Sequence, residues 1–193
     1  MEGRGLHSKG LTEDTLSVLR DGGNNGNELV RIAEISATSK HPIFTSVYHL
    51  INEDMLKQCH KELDGNKAVG IDKVTKDEYG KNLDRNIKEL VQRLKNKSFK
   101  PLPSLRVYIP KGNGKKRPLG IASYEDKIVQ MAVKKILGAI YEPRFLNCMY
   151  GFRPNRGCHE AIKEVYQRIS YGKISYIVDA ISKVSLTIST MIG

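Results

Sequence analysis

The stretch Arg106-Val-Tyr-Ile-Pro-Lys-Gly-Asn-Gly-Lys-Lys-Arg-Pro-Leu-Gly-Ile121 constrains the fold more than any other part of the chain, because its character changes twice in a short span. An apolar run gives way to a Gly-rich basic turn, and that turn to a second apolar run. Val107, Tyr108 and Ile109 are residue types that fit a pleated surface, and glycines allow a tight reversal of the backbone. The order predicts a β-hairpin, with Leu105 to Ile109 and Pro118 to Ile121 as short strands and cations held at the tip.

Charge gives this hairpin a chemical meaning. Between Leu90 and Tyr124 the chain carries nine basic residues (Arg93, Lys95, Lys97, Lys100, Arg106, Lys111, Lys115, Lys116, Arg117) and no acid, against a net charge of +11 for all 193 residues. Clustered cations attract polyphosphates, and they equally suit a ribosomal protein or an anionic membrane surface. A membrane-surface helix would line its cations along one face, whereas Gly112, Gly114, Pro110 and Pro118 break this cluster into a structured loop. The three cysteines, Cys59, Cys148 and Cys158, are far apart and form no Cys-x-x-Cys pair, which argues against a disulfide framework and against a zinc site. With no apolar stretch long enough to cross a bilayer and no secretion core in Met1 to Lys9, the expected location is the cytoplasm, with no membrane partner.

Around the hairpin the pattern is helical, so the expected class is α+β with more helix than strand. Residues 1–40, rich in Gly, Asn, Ser and Thr, read as a flexible leader with a short helix near Glu28 to Ile35. Val47 to Leu63 reads as one helix stopped by Asp64-Gly65-Asn66. After a loop at Lys67-Ala-Val-Gly-Ile-Asp72, the capping box Thr75-x-x-Glu78 opens a second helix, with Leu83, Ile87, Leu90, Val91 and Leu94 inward and Arg85, Lys88, Arg93 and Lys95 outward. Ser123-x-x-Asp126 caps a third, with Ile128, Ala132, Val133, Ile136, Leu137 and Ile140 toward the core. The loop Tyr150-Gly-Phe-Arg-Pro-Asn-Arg-Gly157 follows, then a helix of about a dozen residues reaching Ile169. Tyr176-Ile-Val178 carries the signal of a buried strand.

The order and spacing of Lys67 to Asp72, the Ile109-to-Ile121 hairpin, Tyr150-Gly-Phe-Arg-Pro154 and the closing strand resemble group II intron reverse transcriptases, also called intron maturases. The resemblance covers residues 41 to 180. It implies a right-hand polymerase in which residues 41–170 form the fingers region and 171–180 the first palm strand. It also implies that Lys111 and Arg117 approach the triphosphate of an incoming deoxynucleotide, that Ile121 lies against the templating base pair, and that Arg106, Lys115, Lys116 and Arg153 meet RNA. Arg117 suits bidentate oxygen contacts and Lys111 acts as a point charge. Other readings stay open: Lys111 as a solvated turn residue, Ile121 as hairpin core, and Arg153 as an internal tie of its loop.

In the intact family enzyme two Mg2+ ions sit on carboxylates and serve primer extension on an intron RNA template. The first such carboxylate would follow the strand directly, but that position is Ile181, and Asp179 stands two places early. No catalytic or metal-binding residue is therefore assigned, and no cofactor is expected for this chain. The segment 181–193 can be encoded so that one restored nucleotide turns it into Asp-Ile-Lys-Gly-Phe-Phe-Asp-Asn-Ile-Asp-His-Asp-Trp, the continuation that the resemblance implies. The expectation is an out-of-frame tail, a catalytically inactive N-terminal fragment and poor solubility, and the coding sequence tests it. The rivals are a non-enzymatic RNA-binding module that assists splicing and a functionless pseudogene product.

Overall fold

The computed structural model describes Leu19 and residues 25–112, 114–172, 174 and 176–180. Among the described residues from 25 onward, six helices and one hairpin follow one another: α1 (Gly26–Thr38), α2 (Glu53–Glu62), α3 (Lys76–Gly80), α4 (Leu83–Lys95), β1 (Leu105–Pro110), β2 (Lys116–Ile121), α5 (Tyr124–Tyr141) and α6 (Cys158–Tyr171). Short 3-10 turns lie at Tyr48–Leu50 and Glu142–Arg144. The class is α+β, with a single two-stranded antiparallel sheet among the described residues.

Local capping chemistry sets three of the six helix starts. Thr75 accepts from the Glu78 amide while the Glu78 carboxylate accepts from the Thr75 amide, so the capping box forms as its spacing predicts. Ser123 likewise accepts from the Asp126 amide at 3.2 Å. The expected helix from Val47 begins later, because Asn52 is its N-cap, accepting from the Met55 amide at 3.0 Å with Glu53 and Asp54 in the first turn. The second helix divides into α3 and α4 at Lys81 and Asn82.

The core is helical. Helix α5 packs against α1 and α2, and α4 against α2, enclosing Leu29, Ala33, Leu50, Met55, Leu56, Ile87, Leu90, Ile128, Ala132 and Ile136. The short helix expected near Glu28 to Ile35 is present, extends over Gly26–Thr38 and packs into this core. The Ser36 hydroxyl donates to the Ile140 carbonyl at 2.5 Å, and the Arg144 guanidinium donates to the carbonyls of Ser36, Ser39 and Lys40, which satisfies acceptors at the end of α1. Residues 1–18 and 20–24 of the expected leader lie outside the described residues, as do Asn113 and the tail 181–193.

Three expectations on burial are corrected. Val133 and Leu137 are exposed, because α5 is apolar around more of its circumference than α1 and α2 cover. Arg93 turns toward α5 and meets Glu125 at 2.5 Å, with the Tyr79 hydroxyl donating to the same carboxylate at 3.2 Å. Tyr176, Ile177 and Val178 are exposed and form no ladder, since no described strand lies beside them to pair with. Helix α6 has no buried residue at all, and its apolar stripe of Ile162, Val165, Tyr166 and Ile169 faces outward.

Candidate nucleic-acid interface

The base of the hairpin is fixed at the N-terminus of α5. The Leu102 amide, just before β1, donates to Asp126 Oδ2 at 3.1 Å, and the Ser123 hydroxyl donates to the same oxygen at 2.7 Å immediately after β2. Loop 65–72 closes the corner from the other side, with Lys127 Nζ donating to the Ala68 carbonyl at 2.5 Å. Both strands therefore leave the core and return to it at one point. Beyond that point the hairpin is solvent-exposed on both faces, with only Ile109 and Ile121 partly covered.

At the tip the Lys111 amide donates to the Lys115 carbonyl at 2.6 Å and the Gly114 amide to the Lys111 carbonyl at 3.0 Å. Gly114 adopts φ 75°, a left-handed conformation that suits glycine. This turn fixes the register, pairing Leu105 with Ile121, Val107 with Leu119, Ile109 with Arg117, and, alternately, Arg106 with Gly120, Tyr108 with Pro118 and Pro110 with Lys116.

Cross-strand partners share a face and successive residues alternate. The register therefore sorts the cations. Arg117 and Ile121 lie on one face with Val107, Ile109 and Leu119, and Lys111 continues the parity of that face into the turn. Arg106 and Lys116 lie on the other, with Tyr108 between them. Among the described residues, no acid stands within ion-pair distance of Arg106, Lys111, Lys116 or Arg117, whereas Arg93, Arg153 and Arg168 all have carboxylate partners. Unneutralised cations on an exposed hairpin can hold phosphates from either side.

Comparison with known proteins then decides the family. Group II intron-encoded protein LtrA of Lactococcus lactis subsp. cremoris is 38% identical over 139 residues, 71% of this chain and 23% of the relative. An uncharacterized 91 kDa protein in the cob intron of Schizosaccharomyces pombe is 35% identical over 153 residues, 75% of this chain and 19% of its own length. The putative COX1/OXI3 intron 2 protein of Saccharomyces cerevisiae is 30% identical over 164 residues, 82% and 19% of the two chains. This chain is a homologue of the group II intron-encoded proteins. That is the reverse transcriptase and maturase family whose motif order it resembles, and it spans about a fifth of the length of these relatives. No family model matches the chain.

Within this intron-encoded protein homologue, Arg153 occupies a different setting from the hairpin cations. Its Nε and Nη2 reach Glu142 Oε1 at 2.8 and 2.7 Å, and Nη1 donates to the carbonyls of Leu146 and Met149 at 2.9 and 3.0 Å. With side-chain exposures of 9% for Arg153 and 13% for Glu142, and Phe145 against the guanidinium at 5.4 Å, the residue serves as the internal tie of its loop. Arg156 acts similarly, donating to the Asn147 carbonyl at 2.5 Å and lying over the Tyr150 ring. Of the cations that the resemblance singles out, those of the hairpin are the exposed ones, and Arg153 is not.

Among the described residues, no group of three His, Cys, Asp or Glu side chains is placed to hold a metal ion. Nor is any helix long and apolar enough to cross a membrane.

Proposed function

We propose that this chain is the fingers region, with the beginning of the palm, of a group II intron reverse transcriptase and maturase, and that its hairpin binds nucleic acid without polymerising it. The supporting observation is the exposed hairpin with four cations, Arg106, Lys111, Lys116 and Arg117, unpaired with any described acid. Lys111, Arg117 and Ile121 form the surface for the nucleotide triphosphate and the templating pair. Arg106, Lys115 and Lys116 hold the phosphate backbone of intron RNA or of primer-template.

Binding driven by such cations releases counterions, so affinity falls with salt in proportion to the phosphates neutralised. Titration of the chain against structured RNA across a range of salt should give a clear negative slope, reduced by about one for Lys116→Ala. A slope near zero in the parent chain overturns the reading. Primer extension on an RNA template with Mg2+ should remain at background, and extension above it would show that carboxylates elsewhere in the chain seat the metals.

A further inference from the structure

Tyr108 is 57% exposed at the centre of its strand, which is unusual for an aromatic residue in a sheet. Its cross-strand neighbour is Pro118, a small apolar ring, and one diagonal neighbour is Gly120, which has no side chain to cover it. The other neighbours on the same face are Arg106, two residues back along the strand and about 6–7 Å away at the backbone, and Lys116, the second diagonal, about 7–8 Å away. Among the described residues the Tyr108 hydroxyl has no hydrogen-bond partner, so nothing turns the ring inward.

An accessible π face flanked by unneutralised cations matches one ligand chemistry closely: an aromatic base with a phosphate on either side. Bases within a duplex have both faces covered by their neighbours, whereas unpaired bases are free to stack on protein rings. We propose that Tyr108 stacks on an unpaired base of single-stranded RNA, with Arg106 and Lys116 on the adjoining phosphates. This surface lies on the side of the hairpin opposite Arg117 and Ile121. It rests on the reading of the hairpin as a nucleic-acid surface and adds to it the state of the strand and the residue that reads it.

The test uses the full chain with a labelled single-stranded oligoadenylate and an abasic sugar-phosphate oligomer of equal length, each titrated across salt. Tyr108→Phe keeps the π face, and Tyr108→Leu keeps apolar bulk without it. The expected result is about ten-fold weaker oligoadenylate binding for Tyr108→Leu at an unchanged salt slope, wild-type affinity for Tyr108→Phe, and no difference among the three proteins on the abasic strand. Equal affinity of the parent chain for both oligomers, or loss of binding by Tyr108→Phe, overturns stacking while leaving the cationic hairpin intact. Equal binding of polyglutamate in place of RNA also overturns it. Absence of salt-dependent binding to either oligomer overturns the hairpin reading and the stacking together.

Discussion

A Cβ built on Gly70 would stand 2.6 Å from the Ser123 Cα, with the Ala122 carbonyl oxygen and the Ser123 amide nitrogen each 2.8 Å away. Every one of these neighbours is backbone, so none can swing aside. The loop that carries Gly70 thus lies directly on the corner where β2 becomes α5, the same corner that fixes the base of the hairpin.

Gly70→Ala should therefore displace that corner and destabilise the chain by about 1–3 kcal/mol, the usual range for forcing atoms into a filled space. Gly138, within α5, has nothing within 4 Å of an added Cβ, so Gly138→Ala should stabilise by about 0.5–1 kcal/mol through helix propensity. Urea unfolding midpoints compare the two. Equal effects from both substitutions would contradict the close approach at Ser123.

For Arg153→Ala the expectation is a loss of about 3 kcal/mol, because it strands the Glu142 carboxylate and two carbonyls in a nearly closed site. Limited proteolysis within 145–157 should speed up, and Arg153→Ala should leave the salt slope of RNA binding unchanged. A reduced salt slope at unaltered stability would return Arg153 to the RNA-contact set.

What was legible in the sequence was what local chemistry decides. Thr75, Glu78 and Ser123 cap helices because their partners are three residues away, and Ile87, Leu90, Val91 and Leu94 share a face by helical period alone. Burial against distant elements was not legible in the same way. The short helix near Glu28 to Ile35 was legible, but not that its Leu29 and Ala33 are buried, because α5 receives them only in the fold. Val133 and Leu137 carry the same apolar signal as Ile136, and only the placement of α1 and α2 separates them. At the hairpin the cluster of cations was legible, but their division between two faces depends on the register, which the turn at Lys111 and Lys115 sets. The exposure of Tyr108 follows from the same register and from the hairpin standing clear of the helices.

Acid should weaken the fold through His60. This buried ring meets the Tyr124 hydroxyl at 2.9 Å through Nδ1, with Tyr79 and Gly80 of α3 beside it. Burial lowers its pKa first, Lys76 adds to the lowering, and Asp77 opposes it; burial also pushes Tyr124 up to about 12. A folded-state pKa below the unfolded value means that the unfolded chain binds the proton more readily. This contribution to stability is therefore complete above about pH 6.5 and declines as pH falls through the folded value. Unfolding midpoints between neutral and mildly acidic pH should show the decline in the parent chain and a flatter profile for His60→Gln. The same slope in both would assign the effect to other groups.

Helix α6 is tethered by its polar side, where the Tyr150 hydroxyl donates to Glu164, while Ile162, Val165, Tyr166 and Ile169 face solvent. An exposed apolar stripe of that kind promotes association of copies, and the unpaired Tyr176 to Val178 segment adds to it. Because no described residue packs over the stripe, charge placed there removes no core contact. Val165→Glu with Ile169→Glu should raise the soluble fraction and reduce light scattering at constant concentration, while unfolding midpoints shift by no more than about 0.5 kcal/mol equivalent. A large fall in stability would instead mean that the stripe is covered in solution by part of the same chain, and that α6 packs with its apolar side inward.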